Sequence, residues 1–407
     1  MDATNDNASK ALLPAGMNDT LPPHAAYEAS VVEKIMTCFG GHGYERVKPP
    51  LLEFEENLLR GPGAAMANQT FRLMDPVSQR MMGLRADITP QVARIATTRL
   101  SGAPRPLRLS YAGQILRVKG TQLRADRQFG QVGVELIGAD SPVADAEIIL
   151  MAASALTNLG VSNMSVDLCL PTLVPAVCRD LGLDDAMETH IRAALDGKDA
   201  AGITELGTKI GDDNATLFNN LLAATGPVAD TITALDALEL GRAATEALAP
   251  LKAVVSVLQA DAPDLVLTAD VVENRGWEYH TGVTFTFFTR GVRGELGAGG
   301  RYGTSASGGD GDGDSDNEDG IEPATGLTLF MDTLLRAIPA GDTSRRIYLP
   351  SGTPRVQGDE LRAAGWVTVP ALGPASGDTD DDATEAARLG CDHIMVDGKP
   401  QPLKLAD

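Results

Sequence analysis

The sequence predicts an α+β protein: strands paired with near neighbours, helices outside them, a helical insertion and a small C-terminal α/β segment. Three observations carry this prediction. Residues 70–84 read as an antiparallel hairpin, with Phe71, Leu73 and Met74 before an Asp75-Pro76 turn and Met81, Met82 and Leu84 after it. Leu107–Leu116 and Gln128–Ile137 read as two further strands around a polar, basic loop holding Arg117, Lys119, Arg124 and Arg127. From Pro175 to about residue 260 the chain is rich in Ala and Leu with no strand pattern, as expected of several short helices.

The remaining elements follow in order. Ala26, Val31, Val32, Ile35 and Met36 fall at helical spacing within 25–39, and Gly40-Gly41 ends that run. Residues 44–50 suggest a short strand closed by Pro49-Pro50. A helix over 89–100 has Thr89 as its expected cap and Pro90 at its first position. Another helix is expected over 143–159. Strands return at 265–272 and 282–289, the latter alternating Val283, Phe285 and Phe287 with threonine. Residues 294–303 are glycine-rich, and the glycines around Gly297-Ala298-Gly299-Gly300 suggest a tight turn or a close approach of backbone to a ligand. Residues 323–338 read as strand then helix, and the tail has its own small alternation of strands near 347–349, 366–369 and 394–396 with helices near Glu360 and Ala383.

Composition excludes several functions. No apolar run reaches the ~18 residues of a membrane span, and Asp2 and Asp6 precede any apolar stretch, unlike a secretory signal; a cytoplasmic location and no membrane partner are expected. Cys38, Cys169, Cys178 and Cys391 lack CxxC spacing and read as buried thiols, and five scattered histidines offer no zinc motif, so no metal and no cofactor are expected. The 34 Lys and Arg face 55 Asp and Glu, a net charge of -21, which argues against a nucleic-acid partner because phosphate neutralisation supplies most of such affinity. The run Gly308 to Gly320, with Asp310, Asp312, Asp314 and Asp316, resembles a calcium loop, but Ser315 and Ile321 stand where glycine and glutamate would be required. It reads as a solvated loop.

One constellation stands out. On a strand over Gln128–Ile137, Gln131, Gly133 and Glu135 share a face, and a Gln and a Glu beside a Gly suit an ammonium or imidazole group. Taken alone, a satisfied polar sheet face explains them equally well.

The surrounding blocks change the balance. Leu13 to Asp19, Gly43 to Glu53, Leu84-Arg85-Ala86-Asp87-Ile88-Thr89, Arg275-Gly276-Trp277-Glu278-Tyr279-His280-Thr281 and Gly299-Gly300-Arg301-Tyr302 resemble, in order, blocks of the histidyl-tRNA synthetase family. The resemblance implies a class II aminoacyl-tRNA synthetase-like core, a mostly antiparallel sheet flanked by helices, over 1–174 and 262–340. The helical insertion would occupy 175–261 and a small C-terminal region 341–407. It also implies a histidine site from Asp87, Thr89, Arg117, Gln131, Glu135, Arg275, Tyr279, His280 and Tyr302, with Asp87 and Glu135 on the ammonium or imidazole and Arg275 on the carboxylate.

Departures from the family bear on function. Lys119 replaces a motif 2 glutamate, a loop arginine falls on Ala125, and the phosphate-holding arginine of motif 3 falls on Thr333. Loss of preorganised charge on a transferring phosphate removes several kcal/mol of transition-state stabilisation. His280 stands where the family has Tyr, and the tail does not resemble the synthetase anticodon-binding domain. A core so altered is similar to the ATP phosphoribosyltransferase regulatory subunits, a synthetase-like family of histidine biosynthesis. That similarity implies no catalytic residues, a short-form catalytic partner subunit, L-histidine as effector, and a homodimer, through the region of Pro49 to Glu53, within a hetero-oligomer. The alternative is an active histidyl-tRNA synthetase or another acid–ATP ligase.

Overall fold

The structure, a computed structural model, describes residues 12–122, 124–273, 279–304, 321–339, 345–373 and 379–403. Arg275 and the acidic run 308–320 lie outside the described residues. The chain forms two compact units, Met1–Pro339 and Ala340–Asp407.

In the first unit, α1 (His24–Gly41) leads to β1 (Glu45–Arg46), β2 (Leu52–Phe54), the single turn α2 (Glu55–Leu58) and a 3-10 segment, Gly61–Gln69. The hairpin β3 (Phe71–Met74) and β4 (Met81–Leu84) precedes α3 (Thr89–Thr98), β5 (Leu107–Leu116), β6 (Gln128–Ile137), α4 (Pro142–Asn158) and β7 (Met164–Cys169). Helices α5 (Leu173–Asp180), α6 (Asp185–Asp196), α7 (Ala200–Ile210) and α8 (Asp212–Ala223) come next. Strand β8 (Thr225–Pro227), α9 (Val228–Asp236), α10 (Arg242–Asp261), β9 (Val266–Asp270), β10 (His280–Thr289), β11 (Gly297–Thr304), β12 (Glu322–Phe330) and α11 (Met331–Ala337) complete the unit.

The main sheet has nine strands in the order β1-β5-β6-β12-β11-β10-β7-β9-β8. Its pairs are antiparallel except β1 with β5 and β7 with β9, which is the mostly antiparallel arrangement expected. A separate three-stranded sheet has the order β2-β4-β3. The second unit holds a four-stranded sheet, β14-β13-β15-β16, from β13 (Arg346–Leu349), β14 (Val367–Pro370), β15 (His393–Val396) and β16 (Lys399–Pro402), with helices Arg355–Ala363 and Thr379–Arg388 between them.

Strand alternation divides the nine-stranded sheet into two faces. Val132, Val134 and Leu136 of β6 join Phe285, Phe287, Leu327 and Leu329 in a large apolar cluster with α1, α4 and the helices of 173–261. The odd positions of β6 face the other way, where Phe129 and Ile137 meet Tyr111, Phe330 and the buried side of α3. Period-2 geometry therefore puts Gln131, Gly133 and Glu135 on one side and a dry core on the other.

Four local differences from the sequence reading have identifiable causes. The strand expected over 44–50 is only two residues long, because prolines lack the N–H that a ladder needs. The helical stretch contains one short strand, β8, at the sheet edge. Gly297, Gly299, Gly300 and Gly303 do not form a turn but belong to β11, an interior strand, and Gly299 and Gly300 line the cavity described below. Thr89 is not the helix cap: its N–H donates to Asp87 Oδ1 at 2.9 Å, while its hydroxyl points to the sheet.

Glycines in this sheet make space for polar side chains. A Cβ on Gly326 would stand 1.8 Å from Glu135 Oε2, and one on Gly133 would stand 2.4 Å from Tyr111 Oη. Gly326→Ala is expected to push Glu135 out of its place and to lower unfolding free energy by about 1–3 kcal/mol, the usual cost of overpacking. Urea unfolding measures this; a loss under about 0.5 kcal/mol, the range of a neutral surface change, would contradict the packing described.

Candidate functional site

Glu135 is 1% exposed. Thr89 Oγ1 donates to its Oε1 at 2.8 Å and Tyr302 Oη donates to its Oε2 at 2.8 Å. Tyr111 Oη lies 3.3 Å from Oε1 and 2.7 Å from the Thr328 hydroxyl. These groups come from the start of α3 and from β5, β11 and β12, so strand register brings together residues more than 200 positions apart. The pairings Gly133 with Tyr111, Gly133 with Thr328 and Glu135 with Gly326 set that geometry.

A second carboxylate lies close by. Asp87 is buried, and Gln131 Nε2 donates to its Oδ2 at 3.2 Å while Gln131 Oε1 accepts from the Ile88 N–H at 3.1 Å. Gln131 thus ties the β4–α3 junction to the sheet. Among the described residues every side-chain donor to the Glu135 carboxyl is a neutral hydroxyl, and no Lys or Arg forms an ion pair with Glu135 or Asp87. Burial pushes the Glu135 carboxyl up to about 8; its hydroxyl donors oppose this and the negative charge of Asp87 adds to it.

Above the two carboxylates lies a cavity of about 590 Å³, counted out to its open mouth. Asp87, Thr89, Glu135, Tyr279, His280 and Tyr302 line it, six of the nine residues the sequence singled out. Tyr279 and His280 stack at 4.4 Å, and Tyr279 meets Tyr302 edge-on at 5.9 Å. Gln131 is fully buried and acts on the cavity only through Asp87. Arg117 does not line it either: its Nε donates to Ala86 O at 3.4 Å, its guanidinium lies 5.2 Å from the centre of the Phe129 ring, and burial lowers its pKa. Arg275 lies outside the described residues.

Several wall residues were not singled out from sequence. Thr284, Thr286, Thr328, Phe330 and Pro171 are among them. Thr328 and Tyr111 had a signal only in their alternation, because their partners are fixed by cross-strand register. Asp167, Cys169 and Glu273 also bring ligand-type atoms within 4.8 Å of one another, but Asp167 Oδ1 already accepts from Thr268 Oγ1 at 2.7 Å.

At the positions aligned with phosphate handling, Lys119 and Ala125 are exposed and Thr333 is buried. Arg124 Nη2 donates to Thr333 Oγ1 at 3.3 Å. Arg336 Nη2 also donates to Thr333 Oγ1, at 3.4 Å; of the two arginines beside Thr333, Arg124 is engaged by acids, pairing with Asp332 at 2.8 Å and with Glu295 at 3.4 Å.

The antiparallel core and its carboxylate-floored cavity define a class II aminoacyl-tRNA synthetase-like protein. The family model described as histidyl-tRNA synthetase matches residues 16–334, and a histidyl-tRNA synthetase structure from Nostoc sp. PCC 7120 superposes with a TM-score of 0.76, covering 95% of this chain and 91% of that one at 16% identity. Proteins named ATP phosphoribosyltransferase regulatory subunit are much more similar in sequence. The one from Rhodospirillum centenum is 55% identical over 396 residues, 97% of each chain, and the one from Paramagnetospirillum magneticum is 54% identical, covering 96% of this chain and 97% of that one. A structure titled as an ATP phosphoribosyltransferase regulatory subunit/histidyl-tRNA synthetase from Bacillus halodurans has a TM-score of 0.75 at 25% identity, covering 92% of this chain and 96% of that one. The chain belongs to this synthetase-like family of ATP phosphoribosyltransferase regulatory subunits. The 95% coverage in the Nostoc superposition exceeds what the first 339 of 407 residues could supply, so the tail has a structural counterpart in a synthetase chain that its sequence did not reveal.

Because the Glu135 pKa is raised above its unfolded value, the folded state holds this proton more tightly. Its contribution to stability is fully present below about 4.5 and is lost as pH rises through about 8. Glu135→Gln removes that dependence. Melting temperatures are expected to be similar for both proteins near pH 5, with the variant increasingly more stable up to pH 8–9. A pH-independent difference would show that Glu135 titrates as an ordinary surface carboxyl.

Proposed function

We propose that the chain is the non-catalytic regulatory subunit of an ATP phosphoribosyltransferase, supporting the first step of histidine biosynthesis, and that its cavity takes L-histidine as the feedback effector. Family membership supports the regulatory role. The observation that carries the ligand assignment is the pair of buried carboxylates, Asp87 and Glu135, served by neutral donors at the floor of a cavity with aromatic walls. Buried anions need a cationic partner or a proton. Free histidine supplies an ammonium and a protonatable imidazole, whose flat ring suits the walls of Tyr279, His280 and Tyr302. Arg275 is the proposed partner of its carboxylate, in a bidentate pair. Gln131 serves by orienting Asp87.

A regulatory role needs only a modest energy difference. A ligand that distinguishes two states of a complex by about 1–3 kcal/mol changes activity roughly 5- to 150-fold. The partner proposed is a short-form catalytic subunit, with this chain as a homodimer inside the hetero-oligomer, without nucleic acid and in the cytoplasm. No helix among the described residues is long and apolar enough to cross a membrane. Leu51, Met74, Val77 and Met81, on and beside the three-stranded sheet, are exposed apolar residues, which supports a self-association surface in the region of Pro49 to Glu53. Light scattering at micromolar concentration is expected to give a dimer; a monomer there would contradict this.

The decisive assay mixes this chain with the short catalytic subunit of the same organism and follows phosphoribosyl-ATP formation. Activity is expected to depend on the mixture and to fall with added histidine, and Arg275→Ala is expected to weaken inhibition at least ten-fold while leaving activation intact. A catalytic subunit equally active and histidine-sensitive alone would overturn the proposal. Histidine-dependent ATP–pyrophosphate exchange by the purified chain would instead favour a synthetase or another acid–ATP ligase.

A further inference from the structure

One strand carries much of the cavity floor. Gly326, Thr328 and Phe330 of β12 line it, and their register partners on β6 are Glu135, Gly133 and Gln131 in that order. Alternate residues of a strand share a face, so this floor runs from the Glu135 carboxyl, past the Thr328 hydroxyl, to the Phe330 ring. At ~3.3 Å per residue the run is about 13 Å long. β12 ends at Phe330 and α11 begins at Met331. Thr333, aligned with the phosphate-holding arginine, therefore stands in the first helical turn beyond the ring.

The two ends of this floor are built differently. At Gly326 the strand leaves room for a polar side chain from its neighbour; at 330 it fills the space with its own largest residue. Phe330 is 2% exposed, and its N–H donates to Leu296 O at 2.9 Å. Its ring meets that of Phe129 edge-on, with 6.2 Å between centres. The Arg124 guanidinium, which is not part of the lining, lies 4.1 Å from the centre of the Phe330 ring. Asp332 and Glu295 hold that guanidinium at 2.8 and 3.4 Å. Ring, cation and acids back one another, and an interior packed in this way does not give up volume freely.

We propose that Phe330 is a specificity-determining residue: its ring ends the cavity at a free amino acid and refuses an amino acid joined through its carboxyl to a nucleotide. This inference rests on the reading that the cavity takes histidine, and it names how the site discriminates. A nucleotide on the histidine carboxyl that extended towards Thr333 would have to cross the space the ring occupies. The exclusion is steric, and so is separate from the loss of phosphate-binding charge at Thr333 and Ala125. Specificity of this kind comes from a clash built against the unwanted ligand, not from added contacts to the wanted one.

Calorimetry on the full-length protein tests this with two probes. One is L-histidine; the other is the sulfamoyl analogue of histidyl-adenylate, in which a nucleoside is joined to the histidyl carbonyl through a stable linker. The unaltered chain is expected to prefer histidine by roughly 100-fold or more. Phe330→Ala is expected to cut that preference at least ten-fold. Because truncating a buried phenylalanine leaves a destabilising void, Phe330→Leu is measured beside it and is expected to cut the preference at least three-fold. The readout is a ratio of two affinities, which a uniform loss of folded protein does not move. An unaltered chain that binds the analogue as tightly as histidine would overturn the role of Phe330 while leaving the histidine reading intact. An unchanged preference in every variant that folds would do the same. Analogue binding by the variants, with no histidine binding by the unaltered chain, would overturn the histidine reading and leave the wall standing. Binding of neither probe by any form would overturn both.

Discussion

A carboxylate lying across the middle of a sheet, held among the described residues by hydroxyl groups alone, constrains everything around it. Glu135 occupies that place because Gly326 on the neighbouring strand has no side chain to contest it. Tyr111, Tyr302 and Thr89 must then bring their hydroxyls to it, since a buried acceptor without donors would cost more than the sheet could offset. The apolar cluster on the opposite face keeps the strands in register, and register is what brings those hydroxyls together. Stability and site are consequences of one alternation along β6.

Proximity of Asp87 makes the site anionic rather than merely polar. The buried Glu135 carboxyl, with no ion-paired cation among the described residues, either keeps its proton or waits for a cationic ligand. On the far side of Phe330 the charge is reversed, but there Arg124 is neutralised by Asp332 and Glu295. The chain thus offers an open anionic pocket beside an internally satisfied cation. That asymmetry agrees with membership of a regulatory rather than a catalytic family.

Much of this was legible in the sequence. Gln131, Gly133 and Glu135 share a face because the strand period is two, a rule that needs no tertiary information. The hairpin around Asp75 and the paired strands β5 and β6 were readable from turn chemistry and short loops. Long-range partners were not. Nothing local links Thr328 to Tyr111 across 217 positions, or Arg124 to Asp332 across 208. The glycines of β11 leave a tight turn and a close backbone approach equally open from sequence, because the same absence of a side chain serves both; the structure excludes only the turn. Thr89 was read as a cap, since local geometry cannot reveal that a buried carboxylate competes for its hydroxyl. The tail's structural counterpart in a synthetase chain appears at only 16% overall identity, so the structure and not the sequence exposed it.

Glu135 is expected to hold its proton near neutral pH in the free protein and to ionise when a cationic ligand pairs with it. Carboxyl carbon-13 NMR of the glutamates, with Glu135 assigned by its absence in Glu135→Gln, measures this directly. The account predicts a midpoint near 8 for the free protein and a fall of at least two pH units when histidine is added. A midpoint near 4.5, or one near 8 that saturating histidine leaves unmoved, would contradict it.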